Sequence, residues 1–485
     1  MFGFFLAYGD NPQSYVREKI KKLNHDCSDS FSFYDEGKLS CGFTSLSVND
    51  KSAVESQPQK TTNFISFTEG QIYNHSKLKK QFNLDVTGNS NKRVIPYLFE
   101  EFKEDIIDYL DGFYSSLLYE IDTRNLYCIR DHMGKNNLLL TKNDDYTIIT
   151  NEIKSIQKVD EIKMLPKGVS KIDLSKGEIQ PIKSHNIGDI SKESSLKKIL
   201  KNAVRKRIPS EKFGVFLSGG LDSSIIAYLV KEYSDDVNYY ILGNNESEDL
   251  NYALNVADYL ELDNVNVINI PDKNEIMDLV DKVIYITESY NPSIISNGIC
   301  THLLFREAKK DNLKVVLLGE GADEIFCGYR NFRKKDDWKI NRKRLINDMF
   351  FTELRRIYLT SRYNCIEPRL PFLDKEVFRF SENLDFFDFF HPQTNKFLGK
   401  YVLREEFKNS LPNEIISRSK TSLDVGSGIR RMVVEKLKEH GKSEKKEMFK
   451  IWRKHFPGIK DYDKPYFHSY PVFKNAIKNR GVVQK

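Results

Sequence analysis

The first part of the chain alternates short apolar runs with turn signals, the texture of strands rather than long helices. Strands are predicted over Lys38 to Val48, Asn63 to Phe67, Gly112 to Ile121, Leu126 to Arg130, Leu138 to Thr141 and Tyr146 to Thr150. Helices are predicted at Pro12 to Leu23 and Asn91 to Tyr109. The apolar opening, Met1 to Tyr8, lacks a basic leader and a small-residue cleavage site, so it reads as a buried first strand and not a signal peptide. A polar stretch, Lys183 to Glu193, reads as a linker. After it the pattern changes to alternating apolar strands and amphipathic helices, beginning with helix Leu196 to Ile208 and strand Gly214 to Leu217. Helix Ser223 to Tyr233, strand Asn238 to Leu242, helix Asp249 to Leu260 and strand Val265 to Ile270 follow, then helices Lys273 to Ile286 and Gly298 to Lys310 and strand Lys314 to Leu318. Such alternation predicts a parallel, doubly wound sheet with ligands at the C-terminal strand ends. The fold class is therefore α/β. A sandwich of sheets and helices occupies residues 1–185, and a doubly wound parallel sheet followed by a mostly helical remainder occupies residues 194–485.

Composition narrows the class of protein. With 40% hydrophobic residues over 485 positions the chain can bury more than one core. The net charge of +6 is a small difference between 75 basic and 69 acidic side chains, so the charge balance does not by itself indicate a nucleic-acid or membrane partner, and neither is expected. No apolar run reaches membrane-spanning length. The six cysteines show neither paired nor zinc-like spacing, which predicts free thiols and a cytoplasmic protein.

Chemistry concentrates in Ser218-Gly219-Gly220-Leu221-Asp222-Ser223-Ser224, set between a strand and a helix. Two glycines let the backbone approach an anion, and the helix N-terminus aims N–H groups and a positive dipole end at it. The serines add hydroxyls, and Asp222 is placed to hold Mg²⁺ against phosphate. Without a Lys-Ser/Thr ending, the loop is not built for γ-phosphoryl transfer.

The heptad resembles the pyrophosphate motif of N-type ATP pyrophosphatases, and its details are similar to the asparagine synthetase family. Three further segments resemble that family's signatures in order: Leu317 to Tyr329, Glu367 to Asp374, and Lys400 to Arg404 followed by Arg418-Ser419-Lys420 and Asp424-Val425-Gly426. The resemblance implies that Asp222 and Asp323 bind Mg²⁺ on ATP, and that Lys420 steadies charge at the α-phosphorus and acyl centre, with Lys400 adding to the phosphate-facing field. Backbone at Leu217, Leu242 and Gly319 would hold adenine. Glu320 stands where ammonia-using members carry a proton acceptor and β-lactam-forming members a Tyr. Glu367, which opens the third signature, joins Glu320 and Lys420 as a catalytic candidate.

The family's N-terminal domain is an N-terminal-nucleophile glutaminase beginning Met-Cys-Gly, whereas this chain begins Met1-Phe2-Gly3. Glu69 to His75 and Arg130 to Gly134 resemble its Asn-Gly-Glu-Ile-Tyr-Asn-His and Arg-Asp-His-Leu-Gly, implying a retained fold. Phe2 is no nucleophile. Glutamine-binding positions are altered too: His25 to Asp29 replaces an Arg-containing stretch, Ser45 stands for an arginine, and Asn91 for an acidic residue. The resemblance thus implies a glutaminase-like fold without glutamine hydrolysis. Near Ser293, Ser296 and Asn297, aspartate-using members would carry a Thr-Thr pair and an Arg. That Arg is absent, which argues against aspartate unless Arg306 or Arg330 replaces it.

The implied function is an ATP-dependent ligase of specialised metabolism, joining a small-molecule or peptide carboxylate to ammonia or an amine and releasing AMP and pyrophosphate. A homodimer is possible. Intramolecular lactam closure, lasso-type macrocyclisation and a non-catalytic nucleotide-binding scaffold remain alternatives at this point. A sulfur-transferring, RNA-modifying relative lacks its cysteine motif and RNA module here.

Overall fold

The computed structural model describes residues 3–25, 30–45, 57–86, 91–159, 161–188, 195–329, 332, 337–391, 398–439 and 443–460. In chain order, the strands of its first half are β1 (Phe4–Tyr8), β2 (Ser30–Glu36), β3 (Leu39–Ser45), β4 (Gln59–Lys60), β5 (Phe64–Ile72) and β6 (Gly112–Glu120). They continue with β7 (Leu126–Arg130), β8 (Leu139–Lys142), β9 (Thr147–Thr150), β10 (Ile162–Met164), β11 (Gly168–Asp173) and β12 (Glu178–Lys183). Two antiparallel sheets result, ordered β10-β8-β9-β1-β3-β2 and β12-β11-β7-β6-β5-β4.

The two-residue period of β1 explains how they stack. Phe4 and Leu6 point between the sheets, meeting Phe67, Leu117 and Cys128. Phe5 and Ala7 point the other way, onto Val16 and Ile20 of helix Gln13–Lys19 and the 3₁₀ turn after it. On the outer face of the second sheet, Leu118 and Ile129 pack against Ile95, Leu98 and Phe99 of helix Val94–Phe102. The order of layers is helix, sheet, sheet, helix. The single helix predicted over Asn91 to Tyr109 is instead broken at Lys103, whose φ of 47° interrupts the hydrogen-bond ladder between Val94–Phe102 and Ile106–Tyr109.

The second half holds β13 (Phe213–Phe216), β14 (Val237–Leu242), β15 (Val265–Ile268), β16 (Val315–Leu317) and β17 (Glu367–Arg369). They form one parallel sheet ordered β15-β14-β13-β16-β17. The strand order reverses beside β13, and such a switch point opens a crevice at the C-terminal ends of β13 and β16. β17 was not legible in the sequence because three residues containing Pro368 carry no strand period. The helix predicted from Gly298 begins earlier, at Pro292, where Asn291 accepts a hydrogen bond from the Ser293 N–H at 3.1 Å and caps it.

The cysteine reading needs one correction. Cys41, Cys128, Cys300 and Cys327 are free and buried, as expected, but Cys365 is disulfide-bonded. Sequence spacing could not reveal it, since cross-links join positions that only the fold brings together. Cys27 lies outside the described residues.

Candidate active site

The glycine loop leaves β13 at Leu217, whose N–H donates to the Tyr240 carbonyl at 2.9 Å. Gly219 has a φ of 66°, and a Cβ there would meet the Ala253 nitrogen at 2.5 Å, so only glycine fits. The serines close the loop upon itself. Ser223 Oγ accepts from the Ser218 N–H at 3.1 Å and lies 3.1 Å from the Gly220 carbonyl, while Ser224 Oγ donates to that carbonyl at 2.8 Å. Two of the hydroxyls expected to face an anion therefore shape the loop. The first-turn N–H groups of helix Leu221–Lys231 remain for phosphate oxygens.

Asp222 sits in that first turn and Asp323 in helix Ala322–Ile325, which follows Gly321 with its φ of 93°. Lys400 bridges them. Its Nζ lies 2.8 and 2.6 Å from the Asp222 oxygens and 2.6 Å from Asp323 Oδ1. Gly328 makes room for this contact, because a Cβ there would fall 1.9 Å from Asp323 Oδ1 and 2.3 Å from Lys400 Cε. Lys420 reaches Asp323 Oδ2 at 2.6 Å, and its side chain is 37% exposed, open to a ligand. Burial would raise the Asp323 carboxyl, but Lys400 and Lys420 hold it at about 2. Asp222 is raised, by burial first, with Lys400 opposing and Asp323 adding to the rise. Burial opposes charge on Lys420 as well, and the two aspartates outweigh it and raise its pKa.

Two carboxylates with hard oxygen donors, at the mouth of a phosphate loop, suit Mg²⁺ carried on a nucleotide. No cluster of three or more metal-ligating side chains occurs among the described residues, so phosphate and water would complete the shell, as Mg²⁺ prefers. Gly319 brings the second signature against the glycine loop, its would-be Cβ 2.9 Å from the Asp222 carbonyl carbon and the Ser223 nitrogen. Leu217 and Leu242 are buried at the C-terminal ends of β13 and β14, so all three backbone positions flank the same crevice.

Glu320 faces Arg356, whose Nη2 lies 3.7 Å from its Oε1 and which also pairs with Glu353. Burial raises the Glu320 carboxyl, and Arg356 partly offsets this. Beside it Glu324 accepts from the Tyr329 hydroxyl at 2.6 Å and is pushed up to about 8 by burial, with Glu353 and Asp323 contributing. On the far side, Arg418 Nη1 donates to the Gly219 carbonyl at 2.8 Å, pairs with Asp249 and covers the Tyr252 ring at 3.9 Å. Burial lifts Asp249 to about 6 against the pull of Arg418. Arg356, Glu353 and Asp249 carried no motif signal. Only the three-residue spacing of Glu353 and Arg356 on one helix face could have paired them.

The substrate-side residues also converge. Ser296 Oγ donates to Asp424 Oδ2 at 2.6 Å, the Asp424 N–H donates to Asn297 Oδ1 at 3.3 Å, and Asn297 Nδ2 donates to the Ser293 carbonyl at 3.1 Å. Arg306 is not a replacement clamp, being largely exposed and paired with Glu307, and Arg330 lies outside the described residues.

Glu367 does not join the catalytic candidates. It is the first residue of β17, at the sheet edge away from the loop, where its N–H donates to the Lys314 carbonyl. Its carboxylate pairs with Arg369 Nε at 2.7 Å and accepts from Gln71 of β5 at 2.9 Å. Asn91 in turn donates to Gln71. Glu69 accepts from the Tyr358 hydroxyl at 2.6 Å and from Asn151 at 3.3 Å. The Gln71–Glu367 and Glu69–Tyr358 bonds thus join the two halves of the chain. Phe2 lies outside the described residues, as do the side chain of Ser45 and residues 26–29.

Residues 195–364 and 349–456 match the asparagine synthase family model, and residues 1–186 match the glutamine amidotransferase domain model. A glutamine-hydrolysing asparagine synthetase of Arabidopsis thaliana is 28% identical over 88% of this chain and 77% of its own length. A putative glutamine-hydrolysing asparagine synthetase of Methanocaldococcus jannaschii is 26% identical over 84% and 86%. Among solved structures, an allosteric regulatory enzyme of purine biosynthesis matches at 12% identity and a TM-score of 0.34, over 55% of this chain and 80% of its own. No helix among the described residues is long and apolar enough to cross a membrane.

Proposed function

Because the chain belongs to the asparagine synthetase family, and so to ATP-dependent amidotransferase-like ligases, we propose that it adenylates a carboxylic acid and transfers the acyl group to ammonia or an amine, without hydrolysing glutamine. One observation carries this reading: Asp222, Asp323, Lys400 and Lys420 converge at the mouth of the glycine loop, within 2.8 Å contacts of one another.

In the first step a carboxylate oxygen of the acid attacks the α-phosphorus, and the bond from that phosphorus to the β-bridging oxygen breaks. Pyrophosphate leaves. Mg²⁺ held by Asp222 and Asp323 would neutralise the departing charge. Lys420, anchored on Asp323 and open to solvent, supplies a fixed cation where charge develops. Arg418 fixes the loop backbone through the Gly219 carbonyl.

In the second step the nitrogen attacks the acyl carbon, the carbon–oxygen bond to phosphate breaks, and AMP leaves. Glu320 is suited to take the proton released by the nitrogen, because burial raises its carboxyl toward the working pH and Arg356 keeps it ionisable.

Loss of glutamine use is supported by Phe2, which stands where the family's glutaminases carry their cysteine nucleophile, and by Asn91, which stands for an acidic residue and donates to Gln71. The test is pyrophosphate release, or ATP–pyrophosphate exchange, across a panel of acids with ammonia and amines. An acid-dependent signal supports the reading. ATP binding without turnover on any acid would leave only a nucleotide-binding protein.

A further inference from the structure

Resting on that adenylation reading, we infer that the first half helps to bind the acid: Lys154 is a positioning residue that clamps Glu288 and so sets the acyl-side segment 289–297 of the second half. Glu288 closes helix Ile276–Thr287 in the left-handed conformation, with a φ of 56° and a ψ of 24°. Helix ends commonly use this conformation, but glycine or asparagine ordinarily supplies it. A glutamate there is strained and persists only where its surroundings hold it. The residue is 1% exposed, and its side chain is spent on the first half.

Glu288 Oε1 accepts from the Lys154 N–H at 2.9 Å and lies 3.3 Å from Lys154 Nζ. The same Nζ donates to the Ile286 carbonyl at 3.2 Å, satisfying the last turn of the helix. From the second half, Trp452 Nε1 donates to the Glu288 carbonyl at 3.0 Å, and Arg355 donates there too. Lys154 is itself held. Its Nζ pairs with Glu152, whose carboxylate also meets Arg362 Nε at 2.8 Å and His25 Nε2 at 2.9 Å. Arg362 Nη1 donates to the Tyr358 hydroxyl at 3.1 Å, and that hydroxyl donates to Glu69. A continuous buried network therefore runs from β5 to the exit of helix Ile276–Thr287.

What Glu288 leads into is the acyl side of the site. Only residues 288–291 separate its helix from helix Pro292–Lys310, which Asn291 caps through the Ser293 N–H. In the first turns of that second helix, Ser296 meets Asp424, four residues beyond Lys420. Gly298 approaches Arg356, the partner of Glu320, with a would-be Cβ 3.9 Å from Arg356 Cγ. A rotation of the Glu288 backbone out of the left-handed region would move the start of this helix between those two groups. Lys154 thus acts on the acid through a short, stiff connection and not by touching it.

The test separates positioning from mere adhesion with four variants of the full chain. Lys154→Met removes the amine and leaves Glu152 to Arg362 and His25. Glu288→Ala removes the anchor from a residue that disfavours the left-handed conformation, and Glu288→Gly removes it from one that accepts it. Gln71→Met cuts a bond between the halves that touches neither Lys154 nor Glu288. ATP–pyrophosphate exchange is measured with each acid that supports it in the wild type. Hydrogen–deuterium exchange of segments 288–300 and 217–230 is followed in the presence of a non-hydrolysable ATP analogue. Lys154→Met and Glu288→Ala should raise KM for the acid by roughly 10-fold, and leave KM for ATP and the rate at saturating acid within about twofold. Amide exchange should rise in segment 288–300 and stay unchanged in segment 217–230. Glu288→Gly should recover part of the loss, and Gln71→Met should show none of it.

Unchanged amide exchange in segment 288–300 of the Lys154→Met protein would overturn the inference. So would an equal rise in KM for the acid in Gln71→Met, or a Glu288→Gly protein no better than Glu288→Ala. Absence of acid-dependent exchange in the wild type would instead sink the adenylation reading, and amide exchange alone would then decide whether Lys154 sets the segment.

Discussion

Replacing Glu367 by Gln tests whether this residue joins the halves of the chain or serves the chemistry. Burial opposes its charge, but the Arg369 guanidinium and the Gln71 amide hold its carboxyl down at about 2, against an ordinary 4.5. A depression of that size corresponds to about 3 kcal/mol of folding stability. Its sign follows from the direction of the shift. The carboxylate is favoured in the folded state, so the stability is fully present above pH 4.5 and is lost as pH falls through about 2. Glu367→Gln removes the charge, leaves Arg369 buried without its acid, and keeps the side chain's shape. Urea unfolding at pH 7, followed by tryptophan fluorescence, should show a loss of about 3 kcal/mol. The gap between wild type and variant should shrink steadily as the titration is repeated toward pH 3. Exchange activity per folded molecule should remain. An unchanged midpoint at pH 7, or a gap that widens in acid, would refute the assignment. A stable variant with no exchange would restore Glu367 to the catalytic group.

Asp222→Ala or Asp323→Ala should reduce pyrophosphate release by at least about 10³-fold, since each removes half of the carboxylate pair, and chelating Mg²⁺ should abolish release from the wild type. Glu320→Gln should spare ATP–pyrophosphate exchange and slow amide formation by roughly 10²-fold, read by single-turnover product analysis. In the wild type, amide formation should rise with pH through a midpoint above 4.5, because burial raises the Glu320 carboxyl and only its ionised form accepts a proton; that limb should vanish in the Gln variant. Glutamine should not replace ammonia as nitrogen source, and glutamate release measured in its presence should stay at background. Gly328→Ala should impair adenylation with little effect on acid specificity, because its added Cβ would collide with Asp323 and Lys400.

Local chemistry was legible in the sequence where it is local in the fold. The glycine loop reads directly because its turn, hydroxyls and helix start are consecutive, and Asp222 and Asp323 each follow a recognisable apolar strand. Lys400 and Lys420 could be named but not placed, since their contacts with those aspartates span 178 and 97 residues of chain. Asp424 appeared only as part of a motif, and its contact with Ser296, 128 residues away, exists only once the helices pack. Glu367 shows the opposite limit. A match to a signature located it correctly along the chain and said nothing about which end of the strand it would occupy. The break at Lys103 was hidden for a different reason, because the apolar spacing continues through the interruption.

The bonds from Gln71 to Glu367 and from Glu69 to Tyr358 bear on how such a chain changes over generations. If, as proposed, the N-terminal half hydrolyses no glutamine, it would ordinarily be free to shrink or disappear. Here its strand β5 supplies polar partners to Glu367 and Tyr358 of the other half, and Met133, Leu139, Ile153, Ile156 and Val159 belong to that half's apolar core, so deletion would open a buried face to water. Selection on the ligase alone is then enough to preserve the companion. On the proposed reading the first half persists as masonry, and a stand-alone second half should be recoverable only after the apolar surface that Met133, Ile153, Ile156 and Val159 cover is redesigned for water.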